Sequence, residues 1–291
     1  MQELQPLGMS EGLDLRDLDH TSQAELDTHL FGTWRWRGNL YEMFATSLMT
    51  DYAPDVAKLH RWGADIFGRP DPRNMLPNAV LQLYSYIHLG WEPGIFNQFR
   101  VLQRLGLRKQ QIMEVVMYSK LVAGMRGLGH TYRAVGDSLP DFPDGNGNPP
   151  WPEGWAADPD AFKSGLDLTT KELTAQDRIN LTAWYERTIG YVPESIAFGM
   201  KYDPPYLKMH RATWEVCIKT LPKQVVPYMA LRDATLAGNE DALREAALLG
   251  RAWGLTPQLV VRSITCTAHY FTGFRGLYTA QHAIGDLLDN W

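Results

Sequence analysis

Two segments of the chain share seven of fourteen residues at a spacing of 149 positions. Residues 124–137 read GMRGLGHTYRAVGD, and residues 273–286 read GFRGLYTAQHAIGD. A second pair agrees, since YAPDVAKLHR begins at residue 52 and YDPPYLKMHR begins at residue 202. Self-similarity at a long period is the sequence signature of a repeated structural unit. We therefore interpret the chain as a tandem duplication of one unit.

The repeated unit has the apolar periodicity of α-helices. Residues from Ile112 to Val122 follow the i, i+3, i+4, i+7 spacing, which predicts a helix over residues 108–123. In the counterpart, residues 256–272, Thr256 and Pro257 are a typical N-cap and first helical residue. The same reasoning predicts three further helices, over residues 205–220, 221–237 and 240–252. No segment shows convincing strand alternation, so we expect an all-α fold of two tandem helical units.

The boundary between the units is rich in proline, glycine and aspartate. Residues 140–170 contain PDFPDGNGNPPWPEGWAADPD, which suits neither a helix nor a strand. Trp151 and Trp155 are expected to anchor this linker to a folded unit. The predicted organisation is an N-terminal arm and first helix, a first unit, the linker and a second unit, over residues 1–50, 51–139, 140–170 and 171–291.

Composition and charge argue against several classes of protein. The chain carries a net charge of -5, whereas a general nucleic-acid binder has a basic surface. The sequence contains no run of about 18 apolar residues, the length that a membrane span needs. The acidic N-terminus lacks the features of a signal peptide. Two cysteines are too few for a disulfide framework, and no paired His or Cys motif predicts a metal site. We expect a cytoplasmic protein without metal or cofactor.

The segment GWEPGIFNQFRVLQRLGLRKQQIMEVV, which begins at Gly90, resembles the core of carboxymuconolactone decarboxylases in the alkyl hydroperoxidase D-like superfamily. That family has a helix between two glycines, here Gly90 and Gly106, then a turn and a second helix, here with Glu114. The second copy keeps the glycine spacing, from Gly238 to Gly254. The resemblance implies an all-α fold of the alkyl hydroperoxidase D-like type. Because members assemble as rings of six units, it also implies that this two-unit chain forms a homotrimer.

The chain departs from the family at the residues that carry its chemistry. Peroxidase members use a glutamate, a C-x-x-C pair and a histidine, because a reactive thiolate needs a base and a resolving thiol. None of the residues at those positions supports thiol chemistry: Ala79, Trp91, Gly94 and Gln98 in the first copy, and Pro227, Asn239, Ala242 and Ala246 in the second. Gln98 also replaces the histidine of the decarboxylases, and its amide can donate to a carboxylate or enolate oxygen.

Glu114 is the candidate acid or base of the first copy. It shares a helix face with Met117, Tyr118 and Leu121, so we expect its carboxyl in an apolar stripe with a raised pKa. Such a group can exchange protons near neutral pH, and Tyr118 can hydrogen-bond to it or to a substrate oxygen. The alternative is a buried glutamate that pairs with a cation across a subunit interface.

The equivalent face of the second copy carries smaller polar side chains. These are expected to open a small pocket: Ser263, Cys266, Thr267 and Tyr270. Cys266 and Thr267 are therefore candidate substrate-binding residues. His269 stands where the first copy has Lys120, and it is a candidate proton carrier. The alternative for Cys266 is a buried, inert core thiol.

Two further histidines complete the candidate substrate-binding set. His210 lies in a repeated K-x-H-R motif, which suits either a structural histidine or an anion site. His130 falls on a polar helix face with Arg133, where contact with solvent or an interface is the alternative to substrate binding. The repeated glycine pairs, Gly124 with Gly127 and Gly273 with Gly276, are expected to permit close helix packing.

These residues favour a cofactor-independent lyase, decarboxylase or isomerase for a small carboxylated or aromatic-derived molecule. In this hypothesis Glu114 exchanges the proton, Tyr118 and Gln98 donate to an oxyanion or carboxylate, and His269 carries a second proton. One alternative is a non-catalytic ligand-binding or scaffold protein that kept the fold. The least favoured alternative is a thiol-dependent redox enzyme.

Overall fold

The structure is a computed structural model that describes residue 49 and residues 52–66 and 72–291. Over these residues the chain forms 11 α-helices and no β-strand, and Ala157 and Pro222 form an isolated antiparallel bridge. The prediction of an all-α fold is confirmed, whereas the tandem duplication stays a prediction. The predicted arm and first helix over residues 1–50 lie, apart from residue 49, outside the described residues. None of the described helices is long and apolar enough to cross a membrane.

Contacts along the chain divide it into two compact units. Unit 1 contains the described residues up to Ile112 together with Arg126–Pro152, and unit 2 contains Met113–Met125 together with Glu153–Trp291. The first four helices are α1 (Pro54–Ile66), α2 (Pro72–Leu89), α3 (Glu92–Arg104) and α4 (Lys109–Val135). The others are α5 (Ala175–Ile189), α6 (Glu194–Tyr202), α7 (Pro204–Cys217), α8 (Val225–Ala237), α9 (Glu240–Ala252), α10 (Pro257–Thr267) and α11 (Phe274–Asp289). α4 is the helix that contributes residues to both units.

Local sequence explains where several helices begin. Thr256 caps α10 by accepting a hydrogen bond from the N–H of Leu259, and Pro257 is the first helical residue, which confirms the predicted start. α5 begins with a capping box between Thr174 and Asp177. Such caps replace the hydrogen bonds that the first turn of a helix lacks.

α4 contains a glycine whose backbone conformation does not occur inside a helix. Gly124 has φ 59° and ψ −153°, and Gly273, immediately before α11, has φ 57° and ψ −151°. Side chains with a Cβ rarely adopt this region. A Cβ at either position would meet no atom within 4 Å. For Gly124 and Gly273 the expectation of close helix packing is therefore wrong, because their backbone conformation is what requires glycine. It is confirmed for Gly276 of α11, where a Cβ would lie 2.9 Å from the side chain of Thr235 on α8.

Each unit has an apolar core of its own. In unit 1, α2 packs against α3 and buries Leu76, Leu83, Ile87, Ile95, Phe99 and Leu102. In unit 2, α8 contacts α9, α10 and α11 and buries, with them, Val225, Met229, Leu243, Ala247, Val260 and Ile264. Full burial of one such side chain contributes about 1.5–3 kcal/mol to folding. Helix α8 is thus the central element of unit 2.

The segment between the two predicted units is largely without regular structure. It contains one short 3-10 helix, Pro159–Phe162. Trp155 is buried, with its ring centroid 5.9 Å from that of Tyr228 in an edge-on contact. This indole therefore acts as an anchor, as its sequence context predicts, and it attaches the segment to α8.

Candidate functional site

The carboxylate of Glu114 is buried and surrounded by hydrogen-bond donors. Its Oε2 accepts hydrogen bonds from the backbone N–H groups of Lys219, Thr220 and Leu221 at 3.0, 3.0 and 3.1 Å. Its Oε1 accepts one from the Thr220 hydroxyl at 2.8 Å. These donors belong to the loop after α7, so Glu114 fixes the conformation of that loop. A carboxylate whose lone pairs are occupied in this way has little capacity left to accept a proton from a substrate.

Tyr118 lies one turn after Glu114 and is also buried. Burial, together with the negative charge of Asp233, raises the pKa of the Tyr118 phenol above its usual range. The hydroxyl therefore stays protonated at neutral pH and can act as a hydrogen-bond donor but not as a phenolate.

Gln98 lies in unit 1, in a buried network of amide groups. Its Nε2 donates to the backbone oxygen of Ala79 and to Oε1 of Gln82, both at 3.1 Å. Its Oε1 accepts a hydrogen bond from Asn97 at 3.3 Å. Both ends of the Gln98 amide are therefore engaged by the protein, in a different unit from Glu114 and Tyr118.

The predicted polar face of the second copy lies inside unit 2. Cys266 and Thr267 are fully buried. The Thr267 hydroxyl donates to the backbone oxygen of Ser263 at 2.7 Å, and the Ser263 hydroxyl donates to that of Tyr228 at 3.0 Å. Both hydroxyls are thus bound to backbone oxygens of their own unit. His269 is exposed in the turn that follows α10.

The other two candidate histidines lie in different surroundings. His210 is half-buried on α7, and burial lowers its pKa. His130 Nδ1 lies 2.9 Å from Glu92 Oε1 and 2.8 Å from Nη2 of Arg133. Hydrogen bonds from His130 and Arg133 lower the pKa of Glu92. His130 is therefore part of an ionic cluster in unit 1.

The K-x-H-R motif is built into the interior of unit 2. Lys208 Nζ lies 2.8 Å from Asp177 Oδ2, and both side chains are buried. The Arg211 guanidinium lies 4.0 Å from the ring centroid of Trp184 and donates through Nε to Glu215 at 3.1 Å. Because both cations have partners within the protein, the structural interpretation of this motif is favoured over an anion site.

Arg232, a fully buried arginine of α8, contacts the turn that follows α10. Helix α10 continues at Thr267 into one π-helical turn, Ala268–Thr272. Turns of this kind occur frequently at functional sites. The turn places the ring of Phe271 against the guanidinium of Arg232, whose Cζ lies 4.1 Å from the ring centroid. Arg232 is 0% exposed, although an arginine rarely leaves the surface.

Helix α10, which packs against α8, carries a second arginine, Arg262, and the buried thiol of Cys266. The pKa of Tyr228 is raised, chiefly by burial and also by Cys266, while the charges of Arg262 and Arg232 oppose that rise. All three side chains are thus close enough to act on Tyr228. Nη1 of Arg262 is buried and makes no hydrogen bond with the part of the chain that the structure describes. We call these four residues, Arg232, Arg262, Tyr228 and Cys266, the cationic cluster.

The cationic cluster has the chemistry of a site for a small anion. A guanidinium stays protonated at all physiological pH values, so its burial is costly unless a negative charge is close. A carboxylate matches the guanidinium fork with two parallel hydrogen bonds. The protonated phenol of Tyr228 adds an uncharged hydrogen-bond donor. Among the described residues no three His, Cys, Asp or Glu side chains gather as a metal site.

Sequence reasoning missed both arginines of the cluster, although a signal was present. Arg232 lies on the same buried face of α8 as Val225 and Met229, where apolar residues are usual. The second signal is divergence between the copies, because Arg262 stands 149 positions after the uncharged Met113. A charged residue that interrupts the apolar helical period in only one of the two copies is the sequence signal that identifies these arginines.

Glu245 on α9 is a second group that the sequence did not single out. Burial, together with the nearby charge of Asp241, raises its pKa to about 7. The two carboxyl groups lie four residues apart on the same helix, so the spacing alone places them on one face. Burial, and to a smaller degree the negative charge of Glu245, raise the pKa of Tyr185 and of Tyr191.

No family model, no curated protein and no solved structure matches this chain. The resemblance to the alkyl hydroperoxidase D-like superfamily therefore remains an expectation from the sequence, and function has to be argued from the described side chains.

Proposed function

We propose that the chain is a cofactor-independent lyase or isomerase that acts on a small carboxylated molecule, with the substrate carboxylate bound by the cationic cluster. The supporting observation is the guanidinium of Arg262 on α10, whose Nη1 is buried and makes no hydrogen bond with the described part of the chain. A substrate carboxylate would supply the hydrogen-bond acceptor that this Nη1 lacks. Arg232, on the neighbouring helix α8, is fully buried, and the low dielectric of a buried site strengthens interactions between charges.

Proton transfer in this proposal is assigned to His269. It belongs to the same π-helical turn as Phe271, which stacks on Arg232. Its exposure lets it exchange protons with solvent, and imidazole titrates close to neutral pH. Tyr228 donates a hydrogen bond to the oxygen on which charge develops. Glu114 has no proton-transfer role here, because its carboxylate is held by the loop after α7.

The binding step is tested with levulinate, a small carboxylate with exchangeable C–H bonds beside a ketone. Arg262→Met is expected to weaken levulinate binding roughly 10- to 100-fold, since a hydrogen bond to a charged group contributes about 1.5–3 kcal/mol. Titration calorimetry measures the change. Arg251→Met, at an exposed arginine on α9, is the matched control and should bind as the parent does. Equal binding by Arg262→Met and the parent, or no binding at all, contradicts the proposal.

The chemical step is tested by deuterium incorporation into levulinate in D₂O, followed by proton NMR. His269→Gln is expected to slow the exchange at least tenfold while leaving levulinate affinity unchanged, because a general acid or base contributes about 10²–10⁴-fold. Exchange at the parental rate in this variant removes His269 from the proposal.

A non-catalytic ligand-binding or scaffold protein is the second candidate. The observation that favours it is the engagement of Glu114 and Gln98 by the protein itself. It predicts that levulinate binds without any incorporation of deuterium. The thiol-dependent alternative is disfavoured, because burial raises the pKa of Cys217 and Cys266 is fully buried. A cytoplasmic location stays a prediction from cysteine content.

A further inference from the structure

Helix α1 carries a continuous apolar face on its exposed side. Large residues recur every three or four positions, beginning with Tyr52 just before the helix and continuing within it at Val56, Leu59, Trp62 and Ile66. This spacing places them on one face of the helix. Their exposed fractions run from 41% at Leu59 to 84% at Tyr52. The opposite side of the helix is buried at Ala57 and Lys58. We call the exposed face stripe 1.

Unit 2 carries the same feature at equivalent positions. Stripe 2 consists of Tyr202 at the end of α6 and three residues of α7, namely Tyr206, Met209 and Val216. Each follows a residue of stripe 1 by 150 positions, and their exposed fractions run from 44% to 62%. The opposite side of α7 is buried at Leu207 and Lys208, which correspond to Ala57 and Lys58. Both copies of the repeat therefore present one helix face outward.

The exposed area of the two stripes is of the size that a stable protein interface needs. A large apolar side chain offers on the order of 200 Å², and these nine side chains are on average about half exposed. Stripe 1 set against stripe 2 would thus bury roughly 900 Å² from these residues alone, and their neighbours would add to it. Specific interfaces start at about 1,000 Å² in total. Few monomers leave two such surfaces in water.

We infer that a second copy of this chain covers these surfaces, with stripe 1 of one copy against stripe 2 of the next. The stripes differ most in side-chain size at one position, where stripe 1 has the half-exposed Trp62 and α7 has the small Ala212. Stripe 2 therefore offers a recess that a bulky side chain can fill. Stripe 1 has no residue as small as alanine at any of its positions, so it has no comparable space for Trp62 of another copy. Shape thus favours the unlike pairing.

Unlike pairing has a consequence for assembly. Each copy uses stripe 1 toward one neighbour and stripe 2 toward another, so the contact is head-to-tail and produces a closed ring or an open filament. This inference does not depend on the proposed enzymatic function. The homotrimer implied by the family resemblance is one ring of this kind and stays a prediction.

The experiment uses two variants of the full chain, one for each stripe. Leu59→Asp/Trp62→Asp removes stripe 1, and Tyr206→Asp/Met209→Asp removes stripe 2. Light scattering after size exclusion is expected to give a multimer for the parent and a monomer for each variant. An equimolar mixture of the two variants is expected to give a dimer and nothing larger, because one intact stripe of each kind remains. Native mass spectrometry verifies that the dimer contains both variants.

Leu168→Asp/Ile179→Asp replaces exposed apolar residues outside the stripes and should stay multimeric. Circular dichroism verifies that every variant keeps its helices. Three results overturn the inference: a monomeric parent, a multimeric stripe variant, or mixed variants that stay monomeric. A monomeric parent that sediments with phosphatidylcholine vesicles would assign the stripes to a lipid surface instead.

Discussion

Glu114 illustrates how much the partners of one residue decide its role. The apolar helix face around it suggested a carboxyl poised to exchange protons, yet four donors of a loop surround its oxygens. Glutamine keeps one acceptor oxygen and sets an NH₂ group against backbone N–H groups. Glu114→Gln is therefore expected to lower the free energy of unfolding by about 1–3 kcal/mol. Urea denaturation followed by circular dichroism measures this.

Glu186→Gln, at an exposed glutamate on α5, is the matched control for this prediction. It should change the free energy of unfolding by less than about 0.5 kcal/mol. If Glu114→Gln proves as stable as this control but loses turnover, Glu114 returns to the catalytic role that its sequence context suggested.

The burial of Glu114 could be predicted from the sequence, but its partners could not. The helix face of Glu114 is visible in the apolar spacing, whereas Lys219 and Leu221 lie more than 100 positions further along the chain. Long-range pairing of that kind leaves no local pattern. The cationic cluster was missed for the same reason, since Arg232 meets Phe271 only after α8 and the turn beyond α10 have packed.

At the scale of elements, the local sequence predicted the positions of the helices more accurately than the residues at which they begin and end. The helix predicted over residues 205–220 ends at Cys217, and the one predicted over residues 221–237 begins at Val225. The residues between them include the loop that Glu114 binds, so a tertiary contact competes with helix formation there. The helix predicted to stop at residue 123 resumes beyond Gly124 as far as Val135.

The break in α4 gives a prediction with a control in the same helix. Gly124→Ala is expected to lower the free energy of unfolding by about 1–3 kcal/mol, because alanine is strained at φ 59° even with open space around its Cβ. Gly129→Ala, where the nearest atom to a Cβ is 3.8 Å away on Arg133, should raise it by up to about 1 kcal/mol. Thermal and urea unfolding of both variants provide the comparison. Equal effects of the two substitutions would show that the break at Gly124 does not constrain the helix.

At the scale of the whole molecule, the boundary between the units does not follow the order of the chain. Within α4, Met113–Met125 groups with Glu153–Trp291, whereas Lys109–Ile112 and the residues from Arg126 onward group with unit 1. Repeat comparison placed the boundary in the proline-rich segment, because that segment separates the repeated motifs. A break within a helix is invisible to such comparison, since the apolar period continues on both sides of the glycine.

This grouping predicts that a fragment of residues 153–291 does not fold alone. It lacks the almost fully buried Val115 and Val116, as well as Tyr118, and it lacks the carboxylate that organises the loop after α7. Burial of three such side chains contributes about 5–9 kcal/mol, which equals much of the stability of an ordinary domain. The fragment should therefore show no cooperative thermal transition. A synthetic peptide of residues 109–125, added in excess, should restore one.

The matched control is the same peptide with Glu114→Gln. It should restore the transition only at roughly tenfold higher concentration or more, because the charged acceptor is lost and a hydrogen bond to a charged group contributes about 1.5–3 kcal/mol. Cooperative unfolding of residues 153–291 without peptide would show that this segment folds independently of α4. Equal action of the two peptides would show that apolar burial alone, without the carboxylate, attaches Met113–Met125 of α4 to the rest of unit 2.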